Sequence, residues 1–343
     1  MTDRGIATTI RDVKPFGFRL AQFAAAAVLL LGSSAHPSAH TREVPSTGFA
    51  FVAMWGSHGS GPGEFWYPIN LDVSPSGEVY VADLGNRRIQ KFDSSGNFIR
   101  QWAVPDSSSG EYPSDDVPWG VAVSRDGSVY VGCEFSVTQF TGDGDLVRRW
   151  GIYGRTPGRL FYVQDVSVDE ARNVYVCQEP DRRWDKFDSL GVFLGEWNLA
   201  NTGYPKFIEV GPDGRVYVSD HTNEVIQVFA SDGTYIRSIA IPTSTGSGTN
   251  PSGRVAVTTS GIVYAPDRSE HRIVILNDNG DLIGAIGSKG SGPGEFIGPS
   301  CVARDDAGNL YVMDFWNERV QKFAAVTTAT TQTTWGALKN RYR

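Results

Sequence analysis

Cysteine and histidine are scarce in this chain of 343 residues, three and five respectively, and neither occurs in a Cys-x-x-Cys or His-x-His pair. A zinc site needs three or four converging ligands, so a zinc-organised fold gains no support. Basic residues number 31 against 38 acidic ones, a net charge of −7. That balance disfavours a nucleic-acid partner, whose binding depends on neutralising phosphates. Helical periodicity is missing too, since no stretch after residue 35 keeps a 3.6-residue pattern for long. Nucleophile elbow, phosphate-cradling glycine loop and a Ser and His pair at useful spacing are all absent.

What the chain has instead is a repeat. A Val-Tyr-Val-x-Asp core recurs at Val79 to Asp83, Val129 to Cys133, Val174 to Gln178, Val216 to Asp220, Val263 to Asp267 and Leu310 to Asp314. The steps between its tyrosines, from Tyr80 through Tyr130, Tyr175, Tyr217 and Tyr264 to Tyr311, are 50, 45, 42, 47 and 47 residues. Within a unit the apolar residues alternate, as in Ile69, Leu71 and Val73 and then Val79 and Val81. Turn pairs such as Ser76-Gly77, Ser95-Gly96 and Asp213-Gly214 supply the positive φ of tight hairpins. Each unit is therefore a four-stranded antiparallel sheet, and six of them predict an all-β, six-bladed propeller over residues 50–324. The sixth unit runs through Arg319 to Phe323 and then turns Thr-rich where its fourth strand is due, while Phe51 to Gly56 has the pattern of a spare fourth strand. The N-terminal strand is thus expected to complete the last blade and close the ring.

These motifs resemble NHL repeats. Blade one has Val79 to Asp83 followed by Asn86-Arg87-Arg88-Ile89-Gln90-Lys91-Phe92, and blade six has Tyr311 to Asp314 followed by Asn317-Glu318-Arg319-Val320-Gln321-Lys322-Phe323. The links Gly59 to Phe65 and Gly290 to Phe296 share one Gly-Ser-Gly-Pro-Gly-Glu-Phe sequence. The resemblance implies a six-bladed propeller and leaves function to the loops. Some NHL-like propellers are amidating lyases whose histidines hold zinc near the axis. Here the ring has only His58, His221 and His271, at positions that do not coincide between blades.

The two ends differ in kind from the repeats. Arg4, Arg11, Lys14 and Arg19 lead into the apolar run Leu20 to Leu31 and then small residues through Ala35. Residues 1–35 are accordingly expected to be a signal peptide cleaved after Ala35, followed by a linker over 36–49. No cysteine follows the apolar run, so a lipid anchor is not expected, nor is a membrane span once the signal is cut. Cleavage would remove four basic and two acidic residues and take the net charge from −7 to −9. Residues 325–343 form a Thr/Ala-rich tail ending in Trp335 to Arg343. Three cysteines in an exported chain cannot all pair. Cys133 and Cys177 lie in neighbouring blades, and packed sheets about 10 Å apart exceed disulfide reach, so buried free thiols are expected.

The loops between second and third strands share one face of the ring with the links between blades. Candidate binding residues there are Arg182, Arg183, Trp184, His221, Arg268, His271, Trp316 and Asn317, joined by Trp66, Tyr67, Trp119 and Tyr162 in or beside the links. Asp83, Asp220, Asp267 and Asp314 end equivalent strands, and their oxygens would suit a hard cation such as calcium, although Cys133 and Gln178 break the set. No cofactor is otherwise expected. The expected function is a secreted or periplasmic, non-catalytic, monomeric platform binding a protein, peptide or glycan. The alternative is a lyase or hydrolase dependent on a divalent cation near the axis.

Overall fold

The computed structural model describes residues 48–105, 117–242 and 253–326. The leader with its cleavage site, nearly all of the expected linker, and the tail from residue 327 on lie outside the described residues.

Six four-stranded antiparallel sheets follow one another along the chain. Blade 1 consists of Pro68–Val73, Val79–Asp83, Arg88–Phe92 and Phe98–Ala103. The first strands of blades 2 to 6 are Gly120–Val123, Val163–Val168, Pro205–Val210, Ala256–Val257 and Pro299–Arg304. Alternation decides what each strand buries. Val79 and Val81 point into the cluster shared with blade 6, whereas Tyr80 and Ala82 point into the one shared with blade 2. The described residues form six such hydrophobic clusters, one at each junction between blades. Burying one of these valines or aromatic rings contributes about 1.5–3 kcal/mol, so the ring is held by its junctions and not by a single core.

Phe49–Trp55 is the latch, paired antiparallel with Arg319–Ala325 from Phe49↔Ala325 to Trp55↔Val320, with a bulge between Phe51 and Ala53. It supplies the fourth strand of blade 6, as the sequence predicts. A recurring contact makes the equivalence plain. Trp102, Trp150 and Trp197, from the fourth strands of blades 1 to 3, each press on a turn glycine of the next blade, Gly144, Gly191 and Gly233. Trp55 of the latch presses in the same way on Gly96 of blade 1, which has φ +89° and would place a Cβ 2.4 Å from the indole. Only glycine leaves that space.

All three cysteines are free and buried. Cys301 Sγ donates to the Leu71 carbonyl at 3.2 Å, and burial pushes the Cys177 and Cys301 thiols well up. Among the described residues no helix is long and apolar enough to cross a membrane.

Candidate functional site

The repeat motif first explains its own polar residues. Asp83 and Asp314 are fully buried. Asp83 accepts from Trp66 N–H (2.8 Å), Asn86 (2.9 Å), Arg88 Nε (2.8 Å) and Gln90 (3.0 Å). Asp314 repeats the pattern with Ile297 N–H, Asn317, Arg319 and Gln321. Asp220 is held by Tyr204 N–H, Asn223 and Gln227, and Asp267 by Ser269 and Arg272. The guanidinium of Arg88 then clamps the link through the carbonyls of Ser60, Gly61 and Glu64 at 2.7–2.9 Å. The four aspartates considered for calcium are therefore spent within their own blades, and among the described residues no group of three His, Cys, Asp or Glu is placed to hold a metal.

Four of the candidate binding residues are likewise engaged within the fold. The third strand of blade 3 begins at Arg183, earlier than a long surface loop would allow. Arg183 is buried and clamps its link through the carbonyls of Arg155 and Arg159, both at 2.8 Å. Trp184 has no exposure, being stacked on Trp197 with centroids 4.4 Å apart and edge-on to Phe229 at 5.6 Å. Asn317 caps its turn through Asp314 and the Gly290 carbonyl. His271 Nδ1 accepts from Gly298 N–H at 3.0 Å, and burial lowers its pKa.

Arg182, His221, Arg268 and Trp316 do reach the link face. Arg182 donates to the Tyr204 hydroxyl (2.7 Å) with its guanidinium 4.5 Å above that ring. His221 is exposed, its backbone N–H donating to the Tyr204 carbonyl. Arg268 lies 5.2 Å above Phe315. Phe315 meets Trp316 at 4.8 Å and Tyr67 at 6.1 Å, and Tyr67 meets Trp66 at 6.2 Å. A second group over blades 2 and 3 joins Phe135, Tyr153, Phe161 and Tyr162 at 4.8–6.1 Å, with Arg155 4.4 Å above Phe161. Tyr153, Tyr204 and Phe161 escape sequence reasoning because the links that carry them differ in length and share no motif.

The residues that meet at the axis are not those the sequence singles out for it. Asn70, Asp165, Phe207 and Cys301 are the third residues of their first strands, and the equivalent positions in blades 2 and 5 are held by Gly120, which opens its shorter strand, and by Arg254, two residues before its strand. Arg254 is buried and reaches Glu209 (2.8 Å), Asp72 (3.3 Å), the Val121 carbonyl and, at 4.0 Å, Asp165. Asn70 donates to Asp165 at 2.7 Å. Below this network a cavity of about 330 Å³ opens among the turns between first and second strands, with Asp72, Glu209 and Arg254 as its floor and Arg125, Arg304 and Asp306 nearer the rim. It lies on the face opposite the links. One signal was present in the sequence: Arg254 is a cation where the other blades carry neutral or acidic residues.

A family model for the NHL repeat matches residues 65–92, and one described as a 6-bladed beta-propeller, DUF5128, matches residues 252–337. This chain is an NHL-repeat propeller. It is 28% identical to mouse NHL repeat-containing protein 3 over 178 residues, 46% of this chain and 50% of that protein. It is 30% identical to the human E3 ubiquitin-protein ligase TRIM32 over 188 residues, 49% of this chain and 26% of the ligase. The NHL-repeat propeller thus spans half of one relative and about a quarter of the other. Among solved structures, a streptogramin B lyase superposes with a TM-score of 0.57 at 15% identity, covering 80% of this chain and 97% of the lyase. At that identity the likeness is one of fold.

Proposed function

We propose that this NHL-repeat propeller is exported and acts outside the cytoplasm, secreted or periplasmic, as a platform that binds a protein or peptide on its link face. What carries the proposal is the aromatic array there, with Trp316 59% exposed, Trp66 46%, and Tyr67, Tyr153 and Tyr162 each close to 40%. Contiguous rings left in water disfavour solubility, and such patches mark interaction sites. Trp, Tyr and Arg also dominate contact hot spots, and here arginines rest on Phe161, Tyr204 and Phe315. The kinship with NHL repeat-containing proteins supports an interaction role. The leader-like N-terminus and the acidic balance support export. A glycan would meet the same rings, but the arginine heads favour a partner that carries carboxylates.

The test uses the full chain expressed in an export-competent host. N-terminal sequencing of the protein recovered outside the cytoplasm is expected to begin after Ala35; retention inside with the leader intact would refute export. Photo-crosslinking in the native extracytoplasmic fluid is expected to trap a partner with the wild type and to fail with Arg182→Ala/Trp316→Ala. That double variant should keep its stability within about 1 kcal/mol, as exposed substitutions do. Undiminished capture by a folded double variant would move the site off this face.

A further inference from the structure

The cavity of about 330 Å³ beneath the axial network has room for a small ligand, and its floor departs from the repeat at two points. The first-strand residue paired with the motif tyrosine is Ala122, Ala256 or Ala303 in blades 2, 5 and 6 and Ser167 in blade 3, so packing there needs only a small side chain. In blades 1 and 4 the same position holds Asp72, paired with Tyr80, and Glu209, paired with Tyr217. Both carboxylates line the cavity, and the packing of the blades does not account for them.

Their acceptor capacity is only partly used. Glu209 Oε2 accepts from Arg254 Nε at 2.9 Å and from Ser167 Oγ at 3.3 Å, and lies 2.8 Å from Arg254 Nη2. Glu209 Oε1 has no partner among the described residues and is not sealed from solvent, so it opens into the cavity that Glu209 lines. Asp72 Oδ1 accepts only from the Val73 N–H (2.8 Å), while Oδ2 accepts from the Val123 N–H (2.8 Å) and from Arg254 Nη2 (3.3 Å). Because one nitrogen, Arg254 Nη2, holds an oxygen of each, the two carboxylates stand within about two hydrogen-bond lengths of each other. Arg254 is the one cation on this floor, and Asp165 lies 4.0 Å from it as well. The rim does not compensate: Arg125 is paired with Asp306 at 2.9 Å, and the exposed Arg304 is matched in charge by the exposed Glu170.

We propose that this cavity binds a small organic cation through a primary ammonium, which takes Glu209 Oε1 and the Asp72 carboxylate and leaves its hydrocarbon against the valines of the wall. An ammonium brings three donors and one positive charge, which is what the floor lacks. A divalent metal suits the site less well, because it demands about six oxygen ligands and among the described residues no three His, Cys, Asp or Glu converge. An anion would meet surplus negative charge, and all three nitrogens of Arg254 already donate. The cavity lies on the face opposite the links, so the site is independent of the interaction surface proposed there.

Proton release gives the site a signature. Burial pushes Glu209 up to about 7, Arg254 opposing and Asp72 adding to the rise, and burial pushes Asp165, on the other side of the guanidinium, up to about 7 as well. An ammonium held beside Glu209 keeps it ionised, so binding near neutral pH expels protons and strengthens as pH rises.

Calorimetric titration of the full chain with n-butylamine, alongside n-butanol and butyrate, tests the proposal. Acetyl-lysine amide with its side-chain amine free, in a parallel arm, distinguishes a free amine from a lysine presented by another protein, and binding of either supports the site. The amine is expected to bind with a heat that varies with the ionisation enthalpy of the buffer, and about tenfold more tightly at about pH 8 than at about pH 6. Glu209→Gln is expected to weaken binding about tenfold, the loss of one charge-assisted hydrogen bond, and to reduce the buffer dependence. Thr259→Trp crowds the cavity from an exposed turn of blade 5 without altering the carboxylates, and is expected to weaken binding while the melting temperature stays that of the wild type. Four outcomes would overturn the proposal: no binding of either amine, equal binding of butanol or butyrate, the same effect from sodium chloride at matched ionic strength, or undiminished affinity in the folded Thr259→Trp variant.

Discussion

Arg254 of blade 5 donates to the carbonyl oxygen of Val121 in blade 2, the blade directly across the axis. The same guanidinium holds Glu209 of blade 4 and Asp72 of blade 1, and Asp165 of blade 3 lies 4.0 Å from it. One arginine thus ties five of the six blades at the one place where all of them meet. Three carboxylates around one cation leave a surplus of negative charge, which together with burial favours the protonated form of a carboxyl group.

Burial pushes Asp165 up to about 7, Arg254 opposing, and pushes Glu209 up to about 7 as well, with Asp72 adding to the rise. Ordinary carboxylates titrate near 4, so between about pH 4 and 7 the folded state holds protons that the unfolded chain releases. The contribution of these groups is therefore greatest below about pH 4 and is lost as pH rises toward 7. Asp165→Asn is expected to flatten the fall of the unfolding midpoint between about pH 4.5 and 7.5 relative to wild type, as measured by calorimetry. Parallel wild-type and variant profiles would place the titration elsewhere.

Asn70 reaches Asp165 by passing over blade 2, which is feasible because Gly120 holds the equivalent position there. A Cβ at Gly120 would lie 2.4 Å from Asp165 Oδ1, 2.7 Å from its Cα and 2.8 Å from Val166 N. Two of those atoms are backbone and have no room to retreat. Gly120→Ala is expected to destabilise by about 3 kcal/mol in urea unfolding, the upper range for overpacking. A loss below about 0.5 kcal/mol would mean that blades 1 and 3 do not approach this closely.

Removing residues 49–55 would strip the fourth strand from blade 6, leaving Arg319–Ala325 as an open edge and Gly96 without Trp55. The truncated chain is expected to melt well below the wild type and to aggregate through that edge. Trp55→Ala, which keeps the strand but loses contact with Phe92 (6.0 Å) and Tyr311 (6.4 Å), is expected to lose about 3 kcal/mol and to stay monomeric by light scattering. A truncation that melted with the intact protein would dismiss the latch.

The blades, their number and the latch follow from the sequence alone, because each depends on neighbours a few residues apart: alternating Val and Tyr choose strands, Gly at positive φ chooses turns, and a missing fourth strand at one end calls for the spare one at the other. What the loops and the axis do was decided only by the tertiary structure. Trp184 is read from the sequence as a binding-face residue and yet, among the described residues, becomes the most voluminous fully buried side chain, because Asp181-Arg182-Arg183-Trp184 is blade 3's divergent copy of the Asn-x-Arg-Ile motif, with Trp184 opposite Cys177 as Ile89 is opposite Ala82, packed toward blade 4. Asn70, Asp165, Glu209 and Arg254 lie far apart along the chain and meet only when six first strands converge. The repeat constrains what each blade buries against its neighbour. It places no constraint on the inner residues, whose partners stand across the axis in blades that local patterning cannot reach.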